Sequence, residues 1–122
     1  MNVCVIGVGY VGLVTGAVFA DLGNEVFCVD NDKRKIDMLN RGEMPIYEPG
    51  LKEMVKRNVD DGRLVFTTNL SKGVKTAKVI FIAVGTPPKP NGESDLSAVE
   101  AVAKEIALNL DDYKIVVNKS TV

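Results

Sequence analysis

Histidine is absent from this 122-residue sequence, which also has only two cysteines. Without histidine, a histidine-based catalytic triad and a histidine metal site are excluded within these residues, so any proton transfer here uses other groups. Cys4 and Cys28 each lie inside an apolar stretch typical of a strand, and their spacing fits no zinc pattern. We therefore expect two buried thiols on neighbouring strands rather than a disulfide or a pair of metal ligands.

Strong net charge and long apolar runs are also lacking. The formal net charge is −1, with acidic and basic residues interspersed, which indicates neither nucleic acid nor an anionic membrane as a partner. No apolar run approaches the length of a membrane span, and Met1 and Asn2 lead directly into a strand rather than into a charged leader. We expect a cytoplasmic protein with a small-molecule site.

The strongest local signal is an apolar strand that runs into G-x-G-x-x-G and then into a helix. The residues of this turn are Gly7, Val8, Gly9, Tyr10, Val11 and Gly12. Gly7 permits a sharp turn, Gly9 leaves no side chain between the backbone and a pyrophosphate, and Gly12 lets the helix lie close to the strand. The first N–H groups of that helix suit a diphosphate. Since small residues recur every four positions from Gly12, close packing is a rival explanation for two of the glycines.

An acidic residue, Asp30, ends the second predicted strand, residues 25–29. A carboxylate there can accept hydrogen bonds from the adenosine ribose hydroxyls and would repel a 2′-phosphate, which favours NAD over NADP. The alternative is that Asp30 is a polar strand end or the cap of the next helix. Lys33, Arg34 and Lys35 could neutralise a phosphate, although such a run is more often a solvated helix face.

The rest of the pattern alternates helices and strands. Helices are predicted over 32–41, from 51, after Asn69 and after Asp95, and strands over 64–67, 79–84 and 113–117. The helix after Asp95 presents an apolar face made of Val99, Val102, Ala103, Ile106 and Leu110. The sequence therefore predicts an α/β fold in one domain, residues 1–122, with a Rossmann-type doubly wound parallel sheet in the order 3-2-1-4-5.

Two loops in this pattern each have two alternative roles. Residues 43–50 interrupt the alternation, either as a connector or with a role near a cofactor. Thr86 begins a proline-rich loop where the winding of the sheet reverses, so its hydroxyl either contacts the cofactor or braces the turn. The sequence stops at the ligand side of its fifth strand with no covering helix, so we expect it to be part of a longer protein.

Five motifs, taken in order, resemble the UDP-glucose/GDP-mannose dehydrogenase family. They are residues 7–13, Asp30 with Lys35, and the segments 45–51, 84–87 and 118–122. Members of this family oxidise the C6 alcohol of a nucleotide sugar to a carboxylate and reduce two NAD per turnover. The resemblance covers the whole chain, and it implies that this chain is the NAD-binding domain.

The resemblance also implies residue roles. The backbone of residues 7–12 would hold the pyrophosphate, Asp30 and Lys35 the adenosine ribose, while Thr86 and Thr121 would flank the nicotinamide half of NAD. The catalytic cysteine of the family belongs to a later domain, so neither Cys4 nor Cys28 takes that role. The full-length protein is expected to be a homo-oligomer that binds a UDP-sugar through the later domain.

Two alternatives stay open at this point. The favoured reaction is oxidation of UDP-glucose to UDP-glucuronate, and the alternative is a relative that acts on UDP-N-acetylmannosamine or GDP-mannose, because the later domain reads the sugar. A stand-alone nucleotide-sensing module, such as the regulatory domain of a potassium channel, also uses one glycine-turn α/β domain of similar length. The segments 45–51 and 118–122 argue against that module.

Overall fold

The computed structural model describes residues 1–119, which form five strands and five helices. The strands are β1 (Asn2–Ile6), β2 (Glu25–Val29), β3 (Leu64–Thr67), β4 (Val79–Ile82) and β5 (Ile115–Asn118). The helices are α1 (Tyr10–Asp21), α2 (Lys33–Asn40), α3 (Leu51–Asp60), α4 (Leu70–Thr76) and α5 (Ser97–Leu108). All strands pair in parallel, in the order β3-β2-β1-β4-β5. The predicted Rossmann-type doubly wound sheet is confirmed.

The central strand β1 explains how the two faces of the sheet are filled. Successive side chains of a strand point to opposite faces, so Val3 and Val5 join a core cluster with α1, α2 and α3, whereas Cys4 and Ile6 join a second cluster with α4 and α5. These four side chains are at most 3% exposed. A parallel strand that is apolar on both faces belongs at the centre of such a sheet, which puts the end of β1 between the two layers of helices.

The two cysteines are buried and unpaired, as the sequence predicts. They lie on opposite faces of the sheet, where Cys28 packs beneath Gly16 of α1 and Cys4 beneath Gly73 of α4. A Cβ atom at Gly16 would come within 2.5 Å of the Cys28 sulfur. Burial raises the pKa of Cys4 to about 12, so the thiol stays protonated at neutral pH. Close helix packing therefore accounts for Gly16.

A polar anchor joins α1 to α3 near the amino end of the sheet. The side chain of Asn58 is fully buried; its amide nitrogen donates to Asp21 (3.1 Å) and to the Met54 carbonyl (2.8 Å). Its side-chain oxygen accepts a hydrogen bond from Arg63 at 2.9 Å. The hydrogen bond from Arg57, followed in size by that from Asn58, lowers the pKa of the Asp21 carboxyl. The anchor fixes the carboxyl end of α1, and with it the direction in which the amino end points.

Helix α5 differs from the prediction. Only Ile106 is buried, and Val99 and Val102 pack beside it while partly exposed. Ala103 and Leu110 are exposed, so their predicted place in the core is wrong. The helix packs beside α4, and one row of its side chains reaches the second core cluster.

The end of β4 and the start of β5 also differ from the prediction. Strand β4 stops at Ile82, two residues before the predicted end, and β5 starts at Ile115 rather than at residue 113. The residue before β5, Lys114, instead donates to the Ala77 carbonyl at 2.7 Å, at the end of α4. The sequence pattern predicts Asp95 as the cap of α5, but the N-cap is Leu96, and the Asp95 carboxylate accepts the Ser97 N–H at 3.0 Å. Among residues 1–119, the helices are too short or too polar to cross a bilayer.

Candidate functional site

A cleft of about 630 Å³ opens at the carboxyl ends of β1, β2 and β4. This is the point where the winding of the sheet reverses, because β2 follows β1 on one side and β4 returns on the other. Ligands of open α/β sheets bind at such a point. Of the residues predicted for the site, those that line the cleft are Gly7, Gly9, Tyr10, Val11, Asp30 and Lys35.

Two glycines of the turn are required by the fold itself. Gly7 has a φ of +105°, and a Cβ atom there would lie 2.6 Å from the Ala83 carbonyl oxygen. A Cβ atom on Gly12 would lie 1.7 Å from the Gly7 carbonyl oxygen. Any side chain at either position would displace backbone, so packing explains both residues.

Gly9 is different from its two neighbours in the motif. Its φ is −72°, which every residue type adopts, and no atom of residues 1–119 lies within 4 Å of the place where a Cβ would be. Neither backbone conformation nor packing inside the chain requires glycine here. Because Gly9 lines the cleft, a side chain there would add to the cleft lining at the start of α1.

The amino end of α1 is left without a capping side chain. Gly9 is the N-cap and makes no side-chain hydrogen bond, and the first turn has no acidic residue. The first N–H groups of a helix have no acceptor within it, and the helix dipole adds positive potential there. Tyr10 and Val11 open this helix and line the cleft, so the site can hold an anion against backbone donors.

The Asp30 carboxylate is oriented by the backbone on both sides of it. One oxygen accepts the Val8 N–H at 3.0 Å, and the other accepts the Asp32 N–H at 2.9 Å. Asp30 therefore ties the glycine turn to the end of β2, and its remaining lone pairs can accept hydroxyl groups from a ligand. The alternative role as a helix cap is wrong, since Asp32 is the N-cap of α2 and accepts from Arg34 N at 3.1 Å.

The basic run after Asp30 separates into different environments. Lys35 lines the cleft in the first turn of α2. Lys33 is mostly exposed and forms an ion pair with Asp37 at 2.8 Å, as expected for a solvated helix face. The structure thus brings one cation of the run, Lys35, to the cleft beside Asp30.

The other predicted residues do not line the cleft directly. Val8 is fully buried, and its N–H is bound to Asp30. Gly12 is buried beneath the turn, and Thr86 is half-buried immediately after Gly85, which does line the cleft. Thr121 lies outside the described residues.

Sequence reasoning missed one wall of the cleft. Ala98, Ala101 and Val102 of α5, together with Leu70 and Val84, give the cleft an apolar lining, to which Glu105 of the same helix adds one charged side chain. The small residues at positions 98 and 101 were the available signal, because residues three apart share one face of a helix. An apolar slot of this kind suits a flat aromatic base. The cleft thus offers N–H donors to an anion, a carboxylate acceptor to hydroxyl groups and apolar side chains to a base. These are the three features that bind a dinucleotide.

Comparison with known proteins agrees with this chemistry. Residues 1–122 match the model of the UDP-glucose/GDP-mannose dehydrogenase family, NAD binding domain. The chain is 54% identical to a UDP-glucose 6-dehydrogenase of Pseudomonas aeruginosa over 122 residues, which is 100% of this chain and 27% of that relative. It is 52% identical to a UDP-glucose 6-dehydrogenase of Bacillus subtilis, over 99% of this chain and 26% of the relative.

A solved structure gives the same result for the fold. A ternary complex of GDP-mannose dehydrogenase from Pseudomonas aeruginosa superposes with a TM-score of 0.96 at 41% identity, over 100% of this chain and 29% of that one. The chain thus spans about a quarter of the length of the proteins that it matches. The chain belongs to the UDP-glucose/GDP-mannose dehydrogenase family, as its NAD-binding domain.

Proposed function

We propose that this chain binds NAD for a nucleotide-sugar 6-dehydrogenase that converts UDP-glucose to UDP-glucuronate. The observation that carries the proposal is Gly9: the fold does not need glycine there, whereas a diphosphate lying against the start of α1 does. The high identity to UDP-glucose 6-dehydrogenases supports the substrate. The family match favours a dehydrogenase over a stand-alone sensing module.

Different residues of the cleft bind different parts of the cofactor. The backbone of Gly9, Tyr10 and Val11 faces the diphosphate, and Asp30 accepts the hydroxyls of the adenosine ribose with Lys35 beside it. The apolar wall of α5 takes the adenine. Thr86 and Thr121 stay proposed contacts of the nicotinamide half.

When bound, NAD supplies a hydride acceptor. Oxidation of a primary alcohol to a carboxylate removes two hydrides in succession and takes one oxygen from water, so two NAD are reduced per turnover. In this chain, Asp30 and the glycine turn hold one end of the cofactor and leave its other end toward the exposed edge of the sheet. A part of the protein beyond this chain would hold the sugar, so GDP-mannose, the substrate named for the structural relative, is the alternative.

Replacement of Asp30 by alanine is expected to weaken NAD binding about tenfold to 100-fold, the range for lost charged hydrogen bonds. The preference for NAD over NADP should narrow as well, because the charge that repels a 2′-phosphate is removed. Calorimetric titration of the chain with each cofactor measures both effects. An Asp30→Ala variant with unchanged NAD affinity would remove this residue from the site.

The matched control for that experiment is Asp32→Asn. Asp32 lines the same cleft, but its carboxylate caps α2 through the N–H of Arg34. Asparagine caps helices about as well as aspartate, so this variant removes one negative charge and keeps the fold. We expect its NAD affinity to stay within about twofold of the unmodified chain, since a residual charge effect in water is small. An equal loss in both variants would mean that general charge, not a ribose contact, explains Asp30.

The chain by itself is expected to bind NAD weakly and to leave UDP-glucose unoxidised. The nicotinamide would lie on an open surface, and hydride transfer requires a substrate held beside it. Neither Cys4 nor Cys28 can act as a nucleophile, because both thiols are fully buried and burial raises the pKa of each. The absorbance of reduced cofactor is followed with UDP-glucose present.

The full-length protein is the positive control for this assay, and GDP-mannose in place of UDP-glucose tests the alternative substrate. Turnover by the 122-residue chain that disappears in Cys4→Ser or Cys28→Ser would overturn the placement of the reaction outside this chain. Turnover of GDP-mannose alone by the full-length protein would overturn the proposed substrate.

A further inference from the structure

Tyr10 connects the start of α1 to a loop that is distant in sequence. Its phenol oxygen donates to a carboxylate oxygen of Glu48 at 3.0 Å, across 38 residues. Tyr10 is the first residue of α1 and lines the cleft directly beside Gly9. Glu48 belongs to the connection between α2 and α3, residues 41–50, which we call the α2–α3 connection. The contact therefore joins the wall of the cleft to an element outside it.

The α2–α3 connection is itself held in place by the core. Met44 and Ile46 pack, partly buried, against the core cluster beneath α1, α2 and α3. The Glu48 carbonyl accepts the Leu51 N–H at 3.0 Å, which closes a turn immediately before α3. Glu48 is half-buried, whereas the adjacent Tyr47 is 89% exposed. The carboxylate of Glu48 is therefore presented from a fixed backbone.

The Tyr10 ring needs such a partner to keep one orientation. The residue is 54% exposed, and an exposed aromatic side chain without a partner exchanges among rotamers. The hydrogen bond and the nearby charge of Glu48 raise the pKa of Tyr10. The phenol thus stays protonated and remains a donor across the neutral pH range.

We propose that Glu48 is a positioning residue of the dinucleotide site, which holds the Tyr10 ring as a wall of the cleft beside the diphosphate-binding backbone. This inference rests on the proposed function. Binding of NAD to a cleft whose wall is already ordered avoids the entropy cost of immobilising that side chain. The α2–α3 connection thereby acquires a role in cofactor affinity without touching the cofactor.

The test is a double-mutant cycle on NAD affinity, with Glu48→Ala, Tyr10→Phe and the double variant. Tyr10→Phe keeps the ring and removes the donor. Each single variant is expected to bind NAD about two- to tenfold more weakly, the range for immobilising one side chain. The double variant should be no weaker than either single variant, because both remove the same contact. Glu48→Gln keeps an acceptor and should bind NAD nearly as well as the unmodified chain.

Two matched controls lie in the same connection. Glu43→Ala removes a carboxylate that pairs with Arg41 instead of a cleft residue, and Tyr47→Phe removes an exposed phenol. Both should leave NAD affinity unchanged. Ultraviolet titration of tyrosinate tests the contact itself: in Glu48→Ala one tyrosine should ionise at lower pH than in the unmodified chain, whereas Glu43→Ala should show no such change.

The outcomes separate this inference from the proposed function. If the unmodified chain does not bind NAD, both fail. If it binds NAD and Glu48→Ala binds it equally well, or if the losses in the double variant simply add, only the positioning role of Glu48 is overturned. Thermal unfolding of each variant checks that affinity is compared between folded proteins.

Discussion

Replacement of Gly9 by valine is expected to weaken NAD binding by at least about 100-fold while the chain stays folded. The backbone at Gly9 has an ordinary φ of −72°, and a Cβ atom would meet nothing within 4 Å in the described part of the chain, so the fold can accept a side chain. The added branches would fill the space in front of the first N–H groups of α1, and the diphosphate could no longer approach them. Calorimetric titration with NAD measures the loss.

Thermal unfolding of the same variant distinguishes binding from folding. We expect the free energy of unfolding to fall by about 1 kcal/mol or less, because the only change to the fold is that valine is a poorer N-cap than glycine. Gly9→Ala should fall between the unmodified chain and Gly9→Val in NAD affinity, as the smaller side chain leaves more room. If Gly9→Val unfolds as readily as a core variant, or binds NAD normally, the role of Gly9 in cofactor approach is wrong.

Gly12→Ala should show the opposite behaviour, with a destabilisation of more than about 3 kcal/mol, the upper end for overpacking. The added methyl group would lie 1.7 Å from the Gly7 carbonyl oxygen. No side-chain rotation can relieve this contact, because a Cβ atom and a carbonyl oxygen are both fixed by the backbone. Helix α1 would have to move away from β1. Chemical denaturation of the variant measures the loss.

Gly9→Ala is the control for that experiment, since it places the same methyl group three residues away in the same motif, where there is space. A Gly12→Ala variant that is as stable as Gly9→Ala would contradict the packing explanation. The two results together would test the separate roles that the motif predicts for these glycines.

The cofactor and fold were accessible from the sequence because their signals are local. A continuous apolar run such as β1 predicts a strand that is buried on both faces at the centre of a parallel sheet, whatever strands pair with it. The glycine turn and Asp30 lie at the ends of consecutive strands, and parallel strands bring their carboxyl ends to one edge. The meeting of Asp30 with the turn, through the Val8 N–H at 3.0 Å, follows from that rule. Thr86 and Thr121 remain predictions.

Other features depended on packing between distant parts of the chain. The buried Asn58 resembles any polar residue of a helix in sequence, and only the docking of α1 brings Asp21, 37 residues away, to its side-chain amide. Likewise, the apolar pattern of α5 placed Ala103 and Leu110 on the buried face, but both are exposed, because the number of rows that a helix buries depends on what packs against it.

By itself, then, the sequence determined the strand order, the glycine turn and the acid that follows β2, since each depends on residues adjacent in the chain or on a rule of parallel sheets. Only the tertiary structure showed that a side chain at Gly7 or Gly12 would meet backbone whereas one at Gly9 would meet no atom of residues 1–119, because these distances depend on what lies opposite each glycine. It also decided that Glu48 reaches Tyr10. A contact across 38 residues is set by how helices dock on the sheet, which local sequence does not encode.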